Sequence, residues 1–225
     1  MRSLVVVTAG LSSPSSTRAL GDALSSATTT HVIARGEGVD ITVVELRELA
    51  GELAEAMTNW VSPTPRLKAA QSAVLNADGL IAVSPVFQGS YSGLFKMFFD
   101  TLEPHSLEGL PTLIAATGGS SRHALVLDYA LRPLLNYLHA TVVPTGVFQA
   151  TEDYGTAEGA RNERRIERAA RELADLMVRP LDRVAGLTGP LSETQETQQD
   201  SSEDILDSDP AGFRELLSRH DGQPD

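Results

Sequence analysis

Gly79 to Asp100 runs GLIAVSPVFQGSYSGLFKMFFD, and its character changes twice along that length. Gly79 to Ser84 is a short apolar run of the kind buried on both faces in a parallel sheet. Pro85, Gly89 and Gly93 then punctuate the chain as a loop. From Leu94 onward, Leu94, Phe95, Met97 and Phe98 fall at helical spacing. The segment therefore reads as strand, loop, helix. In an open α/β sheet ligands bind just beyond the carboxyl ends of the strands, which is where this loop would lie. Phe87, Gln88, Ser90 and Tyr91 bring flat apolar surface and hydrogen-bonding groups, with no acid, base or nucleophile among them. That composition suits holding a flat, polar-edged ring system.

The same pattern opens the chain. Ser3 to Thr8, SLVVVT, is a β-branched run expected to form the first, central strand. It empties into Ala9-Gly10-Leu11-Ser12-Ser13-Pro14-Ser15-Ser16-Thr17-Arg18, and a helix is expected from about Ser16, with Leu20, Ala23 and Leu24 on one face. A helix N-terminus presents unpaired amides and a partial positive charge, and Ser/Thr hydroxyls add donors. The loop thus reads either as a phosphate site, with Arg18 adding a full charge, or as ordinary capping and turn residues. Neither G-x-x-x-x-G-K-[ST] nor G-x-G-x-x-G occurs. A serine- and threonine-rich loop points instead to a mononucleotide phosphate, held in this place by flavodoxin-like sheets.

Three further strands are expected at Asp40–Leu46, Leu110–Thr117 and Thr141–Phe148, with Pro144 marking an edge position or bulge in the last. Helical composition covers Arg47–Met57, Arg66–Ala77 with Pro65 at its opening, Leu94–Leu102, Ala124–Leu138 with a kink expected at Pro133, and Glu158–Val184. Lys96 and Asp100 at i, i+4 read as a helix-face ion pair. Trp60, in the connection that holds Pro63 and Pro65, reads as a core or interface anchor. The strand ending at Thr117 is followed by Gly118-Gly119-Ser120-Ser121-Arg122-His123, where paired glycines allow close approach to backbone amides. Alternating strands and helices give an α/β class, and right-handed crossovers select a flavodoxin-like five-stranded parallel sheet of order 2-1-3-4-5 with helices on both faces. Its switch point lies between the first and third strands, so three loops should converge there. A phosphate at Ser12–Arg18, a ring across Pro85–Tyr91 and a ring edge against Thr117–His123 describe bound FMN.

Composition sets the outer bounds. The 225 residues are 41% hydrophobic, contain no cysteine and carry a formal net charge of -12. Disulfides, thiolate nucleophiles and Cys-ligated clusters are excluded, and the acidity argues against nucleic acid as a partner. No run approaches the length of a membrane span and the start lacks the flanks of a signal peptide, so a cytoplasmic protein is expected. From Gly186 onward stand about ten acidic and two basic residues, roughly two thirds of the net charge. The expected organisation is a domain over residues 1–185 and an acidic, disordered tail over 186–225, with a possible short helix at 209–219.

At three places the sequence resembles the NADPH-dependent FMN reductases of flavodoxin-like fold, the type that supplies reduced flavin to two-component monooxygenases. These are GLSSPSSTR near the start, SPVFQGSYSGLFKMFFD, and ATGGSSRHALVLDYALRPLLNYLHATVVPTGVF. The resemblance covers roughly residues 1 to 183. It implies that Ser12, Ser15, Ser16, Thr17 and Arg18 hold the FMN phosphate, and that Pro85, Val86, Phe87, Gln88, Gly89 and Ser90 line the isoalloxazine and ribityl. It places Thr117, Gly118, Gly119, Ser120 and Arg122 by the pyrimidine edge or the nicotinamide. It also implies NADPH or NADH as co-substrate and a homodimer or homotetramer packed through the helices after strands three and four. Where the family commonly starts Gly-Ser-x-Arg, this chain has Ala9-Gly10-Leu11-Ser12, which leaves open which hydroxyls reach the phosphate. Hydride transfer between stacked rings asks for no protein acid or base, so no catalytic residue and no metal is assigned. His123 is expected as a hydrogen-bonded loop residue. Two other readings use the same loops: a flavoprotein that retains FMN and reduces quinones, azo dyes or other acceptors, and a flavodoxin-like electron carrier.

Overall fold

The computed structural model describes residues 1–59, 62–153 and 156–178. Trp60, Pro180, the tail over 186–225 and the short helix expected as possible at 209–219 lie outside the described residues.

Four apolar side chains in succession, Leu4, Val5, Val6 and Val7, are fully buried, because strand β1 (Arg2–Thr8) is covered on both faces. It pairs in parallel with β2 (Val39–Glu45) on one side and β3 (Gly79–Phe87) on the other, Leu4 opposite Gly79 and Thr8 opposite Val83. Side chains alternate across a strand, so β1 contributes to two separate cores. Leu4 and Val6 pack with Leu20, Leu24, Ala169 and Leu173, beneath helices α1 (Ser16–Ile33) and α6 (Ala157–Met177). Val5 and Val7 face Leu53, Leu67, Phe95, Phe98 and Leu131. These side chains belong to α2 (Ala50–Asn59), α3 (Pro65–Leu75), α4 (Gly93–Asp100) and a segment ahead of α5 (Arg132–Tyr137).

The expected α/β class and its layers are present, with differences in detail. A two-residue strand, β4 (Ser90–Tyr91), lies inside the expected loop and pairs with the end of β3. The sheet continues from β3 to β5 (Pro111–Gly118). The last expected strand is split at Pro144 into β6 (Thr141–Val142) and β7 (Val147–Ala150), both paired with β5. The order is therefore β2-β1-β3-β5-β6. Proline has no N–H to donate to a ladder, so the break falls where it was expected.

The long helix expected over Ala124–Leu138 is not continuous. A 3₁₀ turn (Ser121–His123) leads to a π-helical turn (Leu127–Leu131), and α-helical geometry begins only at Arg132. Pro133 therefore opens α5, where a missing N–H costs nothing, and the irregularity precedes it. Residues 47–57 likewise divide into a 3₁₀ turn (Leu46–Leu49) and α2. The Ser15, Thr64 and Ser92 hydroxyls each cap a helix, accepting the N–H three residues on, and Pro65 opens α3 as expected. Lys96 reaches Asp100 at 2.6 Å.

Phe95, Phe98 and Phe99 are the bulkiest fully buried side chains, and their rings contact one another, Phe98 meeting Phe99 edge-on at 5.4 Å. They hold α4 to the sheet immediately after the β3–β4 hairpin. Phe98→Ala should lower unfolding stability by about 3–5 kcal/mol, read as a fall in the urea midpoint at unchanged m value.

Candidate functional site

The first loop begins one residue beyond β1, where the Ala9 N–H still donates to the Val83 carbonyl at 3.0 Å. The chain then folds back tightly: a Cβ on Gly10 would lie 2.1 Å from Ser15 Oγ. That hydroxyl caps α1, accepting the Arg18 N–H at 3.2 Å. The Ser16 and Thr17 amides, ahead of the capped one, have no intrahelical acceptor. Ser12 and Ser16 are exposed at the loop mouth, and Ser15 and Arg18 are half-buried. Thr17 is buried, and its hydroxyl bonds that of Thr117 at 2.8 Å. These two threonines brace α1 against the end of β5.

Charge around this loop is balanced locally. Arg18 donates to Asp22 at 2.8 Å and pairs with Glu45, the last residue of β2. The bond to Asp22 is the leading reason the guanidinium is held still more firmly protonated than usual. Glu45 also accepts from Arg47 at 2.9 Å, and Arg47 donates to the Ser12 carbonyl at 3.1 Å. Glu45 and Arg47 were not singled out from sequence. The available signal was their position just past the carboxyl end of β2, beside the first loop.

The second loop is a hairpin. Val86 pairs with Tyr91 and Phe87 with Ser90, and the two residues between them, Gln88 (φ 49°) and Gly89 (φ 78°), both have positive φ. A two-residue connection with both central φ positive matches the twist of paired strands. Ser84 fixes its base: the buried hydroxyl accepts the Ser92 N–H and donates to the Pro85 carbonyl, each at 2.9 Å. Pro85 is buried, Val86 and Ser90 are half-buried, and Gln88 and Gly89 are exposed. Phe87 is 44% exposed, an aromatic surface left open at the sheet edge.

The third loop leaves β5 at Gly118, where a Cβ would meet the Phe148 ring at 2.9 Å. Gly119 has open space around it. Ser120 caps the 3₁₀ turn, and the Ser121 N–H donates to Glu152 at 2.7 Å. That amide bond, reinforced by the Ser120 and Ser121 hydroxyls, holds the Glu152 carboxyl below the usual carboxylate range. Arg122 and His123 are exposed beside it. Glu152 is a third residue that sequence reasoning passed over, because its partner is an amide 31 positions away.

Strand register brings the three loops together. Thr8 lies opposite Val83, and Pro85 opposite Thr117, so the exits from β1, β3 and β5 are successive neighbours at one sheet edge. The residues present suit FMN. Exposed hydroxyls and unpaired amides at the start of α1 match a phosphate, and an open aromatic face on the hairpin matches a ring. Thr8, at the end of β1, keeps a buried hydroxyl without a hydrogen-bond partner among the described residues. No cluster of three metal-ligating side chains occurs among the described residues. A wider groove of about 1180 Å³ between α1 and α6, lined by Arg164, Arg168 and Arg171, contains none of the loop residues. Convergent strand ends, rather than cavity size, therefore define the site.

Comparison with known proteins agrees with this geometry. The profile of the NADPH-dependent FMN reductase family matches residues 2–155. The chain is 37% identical over 151 residues to an FMN reductase (NADPH) of Pseudomonas aeruginosa, covering 67% of this chain and 78% of the relative. It is 35% identical over 189 residues to the NADH-dependent FMN reductase SfnF of Pseudomonas fluorescens, covering 81% and 97%. Among solved structures, an oxidoreductase from Corynebacterium diphtheriae superposes with a TM-score of 0.76 at 57% identity, covering 79% of this chain and 97% of that one. The chain belongs to the NADPH-dependent FMN reductase family.

Proposed function

We propose that this FMN reductase treats FMN as an exchangeable substrate and hands the reduced flavin to a partner flavin-dependent monooxygenase. The exposure of the ring-facing hairpin carries this reading. Phe87, Gln88 and Gly89 stand open, and an open aromatic face allows a flavin to enter, meet a nicotinamide and leave. FMN supplies the chemistry when bound, accepting a hydride from the nicotinamide. The chain orients it: Ser12, Ser16 and the first amides of α1 take the phosphate, and Ser15 and Arg18 hold that helix start in shape. Pro85 to Ser90 form the ring platform, and Gly118, Gly119, Ser120 and Arg122 border its edge. Thr17 and Thr117 act through the scaffold by fixing the distance between the phosphate and edge loops. A homodimer or homotetramer packed through α4 and α5 fits the groove between them, where Tyr129 and Tyr137 are exposed. The named relatives divide between NADPH and NADH, so both nicotinamides are tested.

Purified protein freed of flavin by gel filtration should oxidise NADPH or NADH only when FMN is added, with saturation in FMN. Turnover without added flavin, in protein that carries FMN through the column, would establish a retained cofactor instead.

The phosphate assignment has its own check. Ser16→Ala should weaken FMN binding by about 10- to 150-fold, the worth of one hydrogen bond to a charged group, and leave riboflavin binding unchanged. Equal loss for both flavins would remove Ser16 from the phosphate site.

The Glu152 tether gives a pH signature. Its carboxyl is held below the usual range in the folded chain, so the tether is complete above the ordinary carboxylate pKa and lost as pH falls through the lower folded value. Glu152→Gln should raise the KM for FMN at neutral pH, and the wild-type value should approach that of the variant only below about pH 4.

A further inference from the structure

At the sheet edge opposite the three loops, two histidines from separate connections meet. His105 lies in the segment between α4 and β5, and His139 between α5 and β6. Their Nδ1 atoms are 3.1 Å apart. The rings stand edge to face, with centroids 4.0 Å apart, and both residues are exposed. The two connections are tied to each other by backbone bonds. The Leu107 N–H donates to the Leu138 carbonyl at 3.2 Å and the Gly109 N–H to the His139 carbonyl at 3.0 Å, while Thr141 N–H reaches the Leu110 carbonyl at 2.9 Å. Both histidines also sit in the left-handed region, at φ 61° and φ 67°. Glycine would occupy either position without steric cost, yet an imidazole is held at each.

We propose that His105 and His139 form a two-imidazole site for a borderline divalent transition metal of the Ni²⁺, Cu²⁺ or Zn²⁺ class. Imidazole nitrogens suit these ions, and hard cations prefer oxygen. With metal–nitrogen bonds of about 2.05 Å, two nitrogens at the observed separation subtend about 98° at the metal, between square-planar and tetrahedral values. Small rotations of the exposed rings turn both Nδ1 lone pairs to one point. Binding takes the lone pair of each Nδ1, and a proton carried there moves through solvent to Nε2 of the same ring. No third His, Asp, Glu or Cys joins the pair among the described residues, so water completes the shell. The chain has no cysteine, which leaves no thiolate to compete. This site is independent of the flavin loops.

Untagged full-length protein, stripped with chelator, would be dialysed against Ni²⁺ alone, and bound metal measured with the melting temperature. One tight equivalent is expected, with a rise in melting temperature. His105→Gly and His139→Gly should each weaken that equivalent by about a hundredfold, because the second imidazole then no longer binds intramolecularly. In chelator both variants should melt no lower than the wild type, since glycine relieves the backbone conformation, which separates loss of the site from loss of the fold. No tight equivalent in the wild type, or undiminished binding in the two variants, overturns the proposal.

Discussion

Everything at the flavin site depends on the parallel register of β1 against β3. Leu4 faces Gly79 and Thr8 faces Val83, so both strands end together and release their loops side by side. The register is held from both faces, because alternate residues of β1 enter different cores, Leu4 and Val6 with α1 and α6, Val5 and Val7 with α2 to α5. A slip of one residue would exchange those sets between faces. Each fully buried side chain of this type contributes about 1.5–3 kcal/mol, and both layers would be misplaced at once. The separation between the start of α1 and the β3 hairpin is thus set by core packing.

Most of the hydroxyls around the site serve local structure before they can serve a ligand. Ser15 and Ser92 cap helices, Ser84 anchors the hairpin, and Thr17 bonds Thr117. A capped amide or a braced helix holds its place whatever the loops contain, and a preformed site has less to order on binding. What remains free to bind is a smaller set: Ser12, Ser16, the open amides of α1, the Thr8 hydroxyl and the exposed face of Phe87. Electrostatics follow the same division. Arg18 is already matched by Asp22 and Glu45, and Glu45 by Arg47. The positive potential left unmatched at this loop is therefore mainly that of the helix start, whose effect is confined to its first turn.

Much of this was legible before folding. The apolar runs at Ser3–Thr8 and Gly79–Ser84, the hydroxyl-rich start of α1, Pro65 at a helix opening and Pro144 at a strand break each act through neighbours in sequence, so composition and spacing reveal them. The same locality made the three loops visible as candidates. Glu45, Arg47 and Glu152 stayed hidden because their partners are remote: Glu45 meets Arg18 across 27 positions, and Glu152 meets the Ser121 amide across 31. The π-helical turn was hidden for a related reason. Leu127 and Leu131 are buried against the same core, and the turn widens to fit that packing, which no residue type announces.

The fold class, the approximate strand positions and the three loops that follow them were readable from the residues alone, because short-range sterics and hydrophobic periodicity act over a few residues. Only the tertiary structure decided the rest. It spent Thr17 and Thr117 on each other, set Gln88 beside Gly89 in a turn with both φ positive, enclosed Arg18 between two carboxylates, and brought His105 to His139. Each of these depends on distances between segments far apart in the chain, and those distances exist only after two helical layers have closed on the sheet.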